Sequence, residues 1–181
     1  MVRGRDDVAG ALLVGGASRR FGSPKALAVY EGETLAERAH RVLDEAFGRV
    51  LVVGKEADGL ELPFPLVDDG SDVRAPIVGV AAALREAGAD VCVLLPTDMP
   101  RVTPALLRSL AAAAQGADAA VPQTGPLPGA YRGTALPVLE RRIEAGELAL
   151  HDALAELEAN VVHCDEALLV NVNEPADLRA G

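Results

Sequence analysis

The stretch VAGALLVGGASRRFGSPK, Val8 to Lys25, carries the clearest indication of fold class in this sequence. Its first seven residues carry no polar or charged side chain, which is typical of a strand buried on both faces. The run ends at Gly15 and Gly16, and glycines let backbone N–H groups approach a ligand closely. Three cations follow with no acidic residue among them. The stretch therefore predicts an anion site in a loop that follows a buried strand.

Strand and helix patterns alternate along the rest of the chain. Thr34 and Glu37 have the spacing of a capping box at the start of a helix, and Thr103 with Pro104 favours a second helix start. The expected strands are Val8–Val14, Arg49–Val53, Phe64–Val67, Asp90–Leu95 and Ala117–Val121. The expected helices are Leu35–Ala46, Ile77–Glu86, Pro104–Ala114, Ala135–Glu144 and Leu150–Glu158.

This alternation predicts an α/β fold with three layers. Parallel strands joined by helices require right-handed crossovers, so we expect a Rossmann-like, mostly parallel sheet with helices on both faces. Ligands of such sheets bind beyond the carboxyl ends of the strands. The 181 residues, half of them apolar, suit a single domain spanning residues 1–181.

Composition excludes several classes of function. The net charge of −10 repels polyanions, so we expect no nucleic-acid partner. The sequence shows neither an apolar run of membrane-spanning length nor the apolar core of a signal peptide, so we expect no membrane partner and a cytoplasmic location. Cys92 and Cys164 lack metal-site spacing and are expected to be reduced.

The glycine-rich loop fits neither of the two common phosphate loops. A P-loop requires Gly-Lys-Ser/Thr, but Gly22 is followed by Ser23, Pro24 and Lys25. The dinucleotide pattern G-x-G-x-x-G fails because the first two glycines are adjacent. What remains is a different phosphate cradle, G-G-x-S-x-R-x-G-x-x-K.

This cradle, LVGGASRRFGSPK from Leu13 to Lys25, resembles the L-x-G-G-x-S-x-R-M-G-x-D-K signature of the molybdenum cofactor guanylyltransferase (MobA-like) family of nucleotidyltransferases. Three further stretches resemble family segments in the same order: PIVGVAAAL (Pro76–Leu84), LLPTDMP (Leu94–Pro100) and VNVNEPADL (Val170–Leu178). The resemblance implies the GT-A-like sheet of nucleotide-diphospho-sugar transferases and an enzyme of the EC 2.7.7 type.

The implied reaction moves GMP from GTP to the phosphate of molybdopterin or molybdenum cofactor, with Mg²⁺ as cofactor and release of pyrophosphate. Asp98 follows a predicted strand, where a carboxylate can hold a hard cation. Lys25, Arg19 and Asp98 are the expected catalytic residues. The expected nucleotide-binding residues are Leu13, Val14, Gly15, Gly16, Ser18, Lys25, Gly54, Asp69 and Asp98.

The remaining site residues also come from the resemblance. The N-V-N segment places Asn171 and Asn173 on one face of an extended chain, and the resemblance implies that this face points into the site, near the metal bound by Asp98 or near the acceptor. Both are candidate metal residues, and which of the two lies on the metal side stays open. Gly54 stands where the family often has an asparagine near the base. Tyr131 and Arg132 look like a family segment near the acceptor.

Two alternatives stay open. A cytidylyltransferase or other NTP transferase of the same fold would use molybdopterin or a sugar or alcohol phosphate as acceptor. A nucleotide-binding accessory protein without turnover would keep the loop and could lose the metal ligand. A monomer or small homo-oligomer is expected, with enzymes that insert or use the cofactor as a further class of partner.

Overall fold

The computed structural model describes residues 8–15 and 24–179, and most of its strands join one seven-stranded sheet. In chain order the strands are β1 (Val8–Leu13), β2 (Val29–Tyr30), β3 (Glu33–Thr34), β4 (Val50–Gly54), β5 (Val67–Asp68), β6 (Val91–Pro96), β7 (Ala119–Pro122), β8 (Gly129–Arg132) and β9 (Ala159–Val162). The order in the sheet is β5-β4-β1-β6-β8-β7-β9, while β2 and β3 form a separate hairpin. All neighbours in the sheet are parallel except β8, which is antiparallel to β6 and β7.

Helices cover both faces of this sheet, as the sequence predicts. They are α1 (Leu35–Phe47), α2 (Pro76–Ala87), α3 (Pro104–Ala113), α4 (Leu136–Glu144) and α5 (Leu150–Leu154). One buried apolar cluster joins α1 and α3 to the sheet, and a second joins α2, α4 and α5. No helix in residues 8–15 and 24–179 is long and apolar enough to cross a membrane.

Local signals explain where the first helix begins and ends. The Thr34 hydroxyl accepts a hydrogen bond from the Glu37 amide (3.1 Å), and the Glu37 carboxylate accepts one from the Thr34 amide (2.9 Å). These two bonds form the predicted capping box. The helix ends at Gly48, whose φ of 67° is the left-handed conformation that glycine adopts without strain. The capping box and the glycine set the bounds of α1.

The β2–β3 hairpin has no counterpart in the sequence-based prediction, and the elements of the main sheet differ from that prediction in three places. The strand expected at Phe64–Val67 is shorter and lies later, at Val67–Asp68. The helix expected to reach Glu158 ends at Leu154, because the chain then turns to add β9 beside β7. Strand β8, which was not predicted, inserts between β6 and β7. All three differences arise from pairing with strands distant in sequence.

Candidate active site at the carboxyl ends of the strands

A cleft of about 950 Å³ opens at the edge of the sheet where β1, β4, β5 and β6 end. Because these four strands are parallel, their carboxyl ends meet at one edge. Most of the sequence-predicted residues line this cleft: Leu13, Val14, Gly15, Lys25, Gly54, Asp69, Asp98 and Asn171. Gly16, Ser18 and Arg19 lie outside the described residues.

Asp98 and Lys25 face each other near the centre of the sheet. Asp98 follows β6, and its Oδ2 lies 3.4 Å from the Lys25 Nζ. The two side chains are 24% and 20% exposed, so both are accessible from the cleft. A carboxylate and an ammonium group therefore lie together where β1 and β6, the paired central strands, end.

The C-terminal segment is anchored to this pair through the backbone. The Val172 amide donates a hydrogen bond to the Asp98 carbonyl oxygen (2.7 Å), and the Val172 side chain is buried against Tyr30 and Leu35. Because side chains alternate along an extended segment, Asn171 lies on the opposite side from Val172 and lines the cleft.

Asn173 occupies a different setting from Asn171. Both asparagines are exposed, but Asn173 is not among the residues that line the described cleft. Its amide donates to the Asp177 carboxylate (2.7 Å), and so does the amide of Glu174. These bonds are turn chemistry. Of the two asparagines, Asn171 is the one that lines the described cleft together with Asp98, and the metal roles of both stay predictions.

Gly54 is required by the close approach of β1 and β4. The Val14 amide donates to the Val53 carbonyl (2.9 Å), and a Cβ built on Gly54 would lie only 2.6 Å from the Val14 carbonyl oxygen. The carbonyl oxygen belongs to the backbone, so it cannot move aside without a shift of the main chain. On this backbone the family's asparagine could not stand at Gly54, and this part of the cleft wall is made of main chain.

Lys55, which sequence reasoning missed, is buried beside Asp69. Its Nζ lies 2.8 and 2.9 Å from the two carboxylate oxygens of Asp69 and also donates to the Ser71 carbonyl oxygen. Both residues line the cleft. The one available signal was position, since Lys55 directly follows the predicted second strand.

The two adjacent acids after β5 have different roles. Asp68 is exposed and accepts hydrogen bonds from the Glu56 amide (2.7 Å) and the Gly70 amide (2.8 Å), and these bonds lower its pKa. Asp69 instead lines the cleft. Of these two acids, Asp69 is therefore the one that a ligand in the cleft could reach, and its nucleotide-binding role stays a prediction.

Arg74 and Asp58 form a further ion pair in the cleft wall. The guanidinium contacts both carboxylate oxygens, at 2.5 and 3.2 Å, and its hydrogen bonds lower the pKa of Asp58.

Arg132 lies away from the cleft edge. In the sheet it is the register partner of Val91, at the amino end of β6. Arg132 therefore lies at the opposite end of β6 from Asp98, and the place of its segment near the acceptor stays a prediction.

Charges in the described part of the cleft balance. Its three cations, Lys25, Lys55 and Arg74, each pair with one of its three acids. The Lys55–Asp69 pair lies toward the edge strand β5, and the Lys25–Asp98 pair lies at the central strands. The cleft therefore offers polar groups at both ends of an elongated ligand.

Comparison with known proteins supports the sequence resemblance. A family model described as a MobA-like NTP transferase domain matches residues 10–165. A relative from Pelotomaculum thermopropionicum, named "Probable molybdenum cofactor guanylyltransferase", is 32% identical over 93% of this chain and 89% of its own. A relative of the same name from Opitutus terrae is 36% identical over 83% of this chain and 79% of its own.

A solved structure has the same architecture. It is the molybdopterin-guanine dinucleotide biosynthesis protein A from Archaeoglobus fulgidus, which is 27% identical and covers 95% of each chain with a TM-score of 0.80. The mostly parallel, helix-covered sheet predicted from the sequence is therefore found in the structure and in a solved relative.

Proposed function

Because the chain belongs to the MobA-like NTP transferase family, we propose that it transfers GMP from GTP to the phosphate of molybdopterin, with release of pyrophosphate. One observation carries the proposal. Asp98 and Lys25 face each other beside Gly15 at the ends of the central strands. This is the place where an open α/β sheet binds phosphates.

The reaction needs no general base from the protein. An oxygen of the acceptor phosphate attacks the α-phosphorus of GTP, the new P–O bond forms, and the bond to pyrophosphate breaks. A phosphate monoester has a second pKa of about 6 and is already ionised near neutrality. None of the described residues that line the cleft is a histidine, which suits a reaction dominated by positioning and charge.

Lys25 and Arg19 are proposed to neutralise the triphosphate. The described cations of the cleft are matched by acids, so a bound triphosphate needs further positive charge. In the sequence, Arg19 and Arg20 stand between Gly15 and Lys25. Backbone amides at Gly15 and Gly16 would contact phosphate oxygens, as glycine-rich phosphate loops do.

The residues at the central strands fit a divalent cation, and we propose Mg²⁺. Asp98 supplies a carboxylate oxygen, and Asn171 lies beside it through the bond from Val172 to the Asp98 backbone. No group of three or more His, Cys, Asp or Glu side chains arranged to hold a metal occurs in residues 8–15 and 24–179. Mg²⁺ typically binds through one or two carboxylates together with substrate phosphates. When bound, it would neutralise charge on the phosphates that react.

Pyrophosphate release from each of the four ribonucleoside triphosphates, with and without molybdopterin and in the presence of Mg²⁺, tests this proposal. We expect release only when GTP and molybdopterin are both present. Release with CTP in place of GTP would show a cytidylyltransferase. Binding of a nucleotide without release, with any acceptor, would show an accessory protein.

A further inference from the structure

Lys55 is a buried lysine whose hydrogen-bond donors are all used inside the protein. Its ammonium group has three protons and contacts three acceptors: two carboxylate oxygens of Asp69 and the carbonyl oxygen of Ser71. Its side chain is 11% exposed and that of Asp69 is 8% exposed. Lys55 therefore lines the cleft without a donor left over for a ligand.

Lysine at position 55 is unusual for this sequence. Lys25 and Lys55 are the only lysines in the 181-residue sequence, which uses arginine for every other permanent cation. Both lysines line the same cleft. Removing an ammonium group from water is costly unless it is paired and hydrogen-bonded, so a buried Lys–Asp pair is weak evidence for a purely stabilising role.

The contacts of Asp69 leave one acceptor position open. Its Oδ1 accepts from the Lys55 ammonium (2.8 Å) and from the Ser71 amide (3.1 Å), which uses both lone pairs. Its Oδ2 accepts from Lys55 alone among these contacts (2.9 Å). One lone pair of Oδ2 is therefore available for a hydrogen-bond donor on a ligand.

We propose that Lys55 is a positioning residue of the nucleoside subsite. It fixes the Asp69 carboxylate so that Oδ2 accepts one N–H or O–H from the nucleoside. This inference rests on the proposed function. The neighbouring wall at Gly54 is main chain, because a Cβ there would meet the Val14 carbonyl at 2.6 Å. The Lys55–Asp69 pair is thus a buried side-chain group next to this wall, and it lies in the same cleft lining as the more exposed Arg74–Asp58 pair.

The pair lies far from the reacting phosphate. Strands β5 and β6 are separated by three inter-strand spacings of about 4.8 Å, or about 14 Å in total. A change at Lys55 should therefore weaken nucleotide binding without altering the chemical step. A contact made equally in the ground state and the transition state affects KM and not kcat.

Steady-state kinetics of a double-mutant cycle test the inference, with GTP as the varied substrate. We expect Lys55→Met to raise the KM for GTP about 10- to 100-fold, the cost of losing a hydrogen bond to a charged group, while kcat stays as in the wild type. Asp69→Leu should raise KM at least as much. Adding Lys55→Met to Asp69→Leu should change KM no further, because Lys55 acts through Asp69.

A matched control separates this effect from the loss of any ion pair. Arg85 on α2 forms an exposed ion pair with Glu140 on α4 (2.8 Å), and neither residue lines the described cleft. Arg85→Met removes this pair and should leave the KM for GTP unchanged. Circular dichroism and thermal unfolding check that each variant is folded. Should Lys55→Met unfold, Asp69→Leu and the double variant decide the matter, because replacing both charges removes the unpaired carboxylate.

Three results would overturn the inference. An unchanged KM in Lys55→Met would make the pair purely structural. A KM that rises further in the double variant than in Asp69→Leu would mean that Lys55 contacts the nucleotide directly. A wild-type protein that binds no nucleoside triphosphate would overturn the proposed function as well, whereas the first two results leave that function intact.

Discussion

At the scale of single residues, Asp98 is the group on which the proposed chemistry depends most. It follows β6 at the centre of the sheet, it is reachable from the cleft, and its contact with Lys25 is a long one of 3.4 Å. Partly exposed ion pairs contribute little to stability. Asp98 therefore has more to contribute to the reaction than to the fold.

Asp98→Asn should separate these two contributions. We expect kcat for pyrophosphate release to fall about 100- to 1,000-fold, the range found when one preorganised electrostatic group is removed from an active site. The melting temperature should stay close to that of the wild type. Asp152→Asn, which alters an exposed acid with a loose 3.9 Å contact to Arg142, serves as the control. Retained activity in Asp98→Asn would remove Asp98 from the mechanism.

Gly54 should be intolerant of any side chain. Gly54→Ala forces a Cβ against the Val14 carbonyl oxygen, and we expect it to lower the free energy of unfolding by about 1–3 kcal/mol, as overpacking does. Urea denaturation measures the change. Gly133→Ala is the matched control, because a Cβ at Gly133 meets nothing within 4 Å and its φ is not positive. Equal stability of the two variants would contradict the close approach of β1 and β4.

Residues could be predicted from the sequence where the signal was local. Asp98 follows an apolar run and Lys25 belongs to a glycine-rich sequence, so the neighbouring residues mark both as candidate site residues. The neighbours of Lys55 and Asp69 give no such indication, since a lysine after a strand usually reaches solvent. Only the pairing of β4 with β5 brings these two residues together. Asp69 is accordingly a candidate nucleotide-binding residue by family resemblance alone, and nothing in the sequence singles out Lys55.

At the scale of elements, the same distinction separates α1 from β8. The capping box of α1 lies within four residues and predicted the start of the helix correctly. Strand β8 has four residues, and its pairing partners β6 and β7 hold it in an antiparallel register. Its sequence, Gly-Ala-Tyr-Arg, shows neither alternation nor an apolar run. Long-range pairing, which a local pattern cannot report, determines this strand.

The packing of α1 against the segment before β5 predicts a dependence on pH. The His40 ring on α1 stacks on Phe64 with centroids 3.8 Å apart, and burial lowers the pKa of His40 below 6.5, while Asp44 opposes the shift. Because burial depresses the folded-state pKa of His40, the folded protein favours the neutral imidazole. This preference contributes fully to the free energy of unfolding above pH 6.5, the pKa in the unfolded chain. It is lost as the pH falls through the folded-state pKa.

An NMR titration of His40 and urea unfolding at pH 7.5 and 5.5 check this expectation. The His40 pKa should lie below 6.5, and the wild type should lose more of its unfolding free energy on acidification than His40→Phe. The phenylalanine keeps a stacked ring that does not titrate. The same loss in both proteins would mean that His40 is not buried against Phe64.

At the scale of the whole molecule, the sheet order accounts for the layout of the site. Strand β1 lies between β4 and β6, and all three are parallel, so the chain leaves β1 at Gly15 between the Lys55–Asp69 pair and Asp98. In a chain with a net charge of −10, the cations Arg19, Arg20 and Lys25 follow β1 in the sequence, and Lys25, Lys55 and Arg74 line the described cleft. We propose that a nucleotide lies across these strand ends, with its nucleoside toward β5 and its phosphates toward β6.

The position of the transferred phosphorus decides whether the protein transfers a nucleotidyl group, on which the proposed layout of the cleft depends. Molybdopterin and Mg²⁺ are incubated with the protein and with GTP labelled with ³²P at either the α- or the γ-phosphorus, and the acceptor product is separated from pyrophosphate. We expect the α-label in the acceptor product and the γ-label in pyrophosphate. Appearance of the γ-label in the acceptor, or of neither label, would contradict nucleotidyl transfer at this cleft.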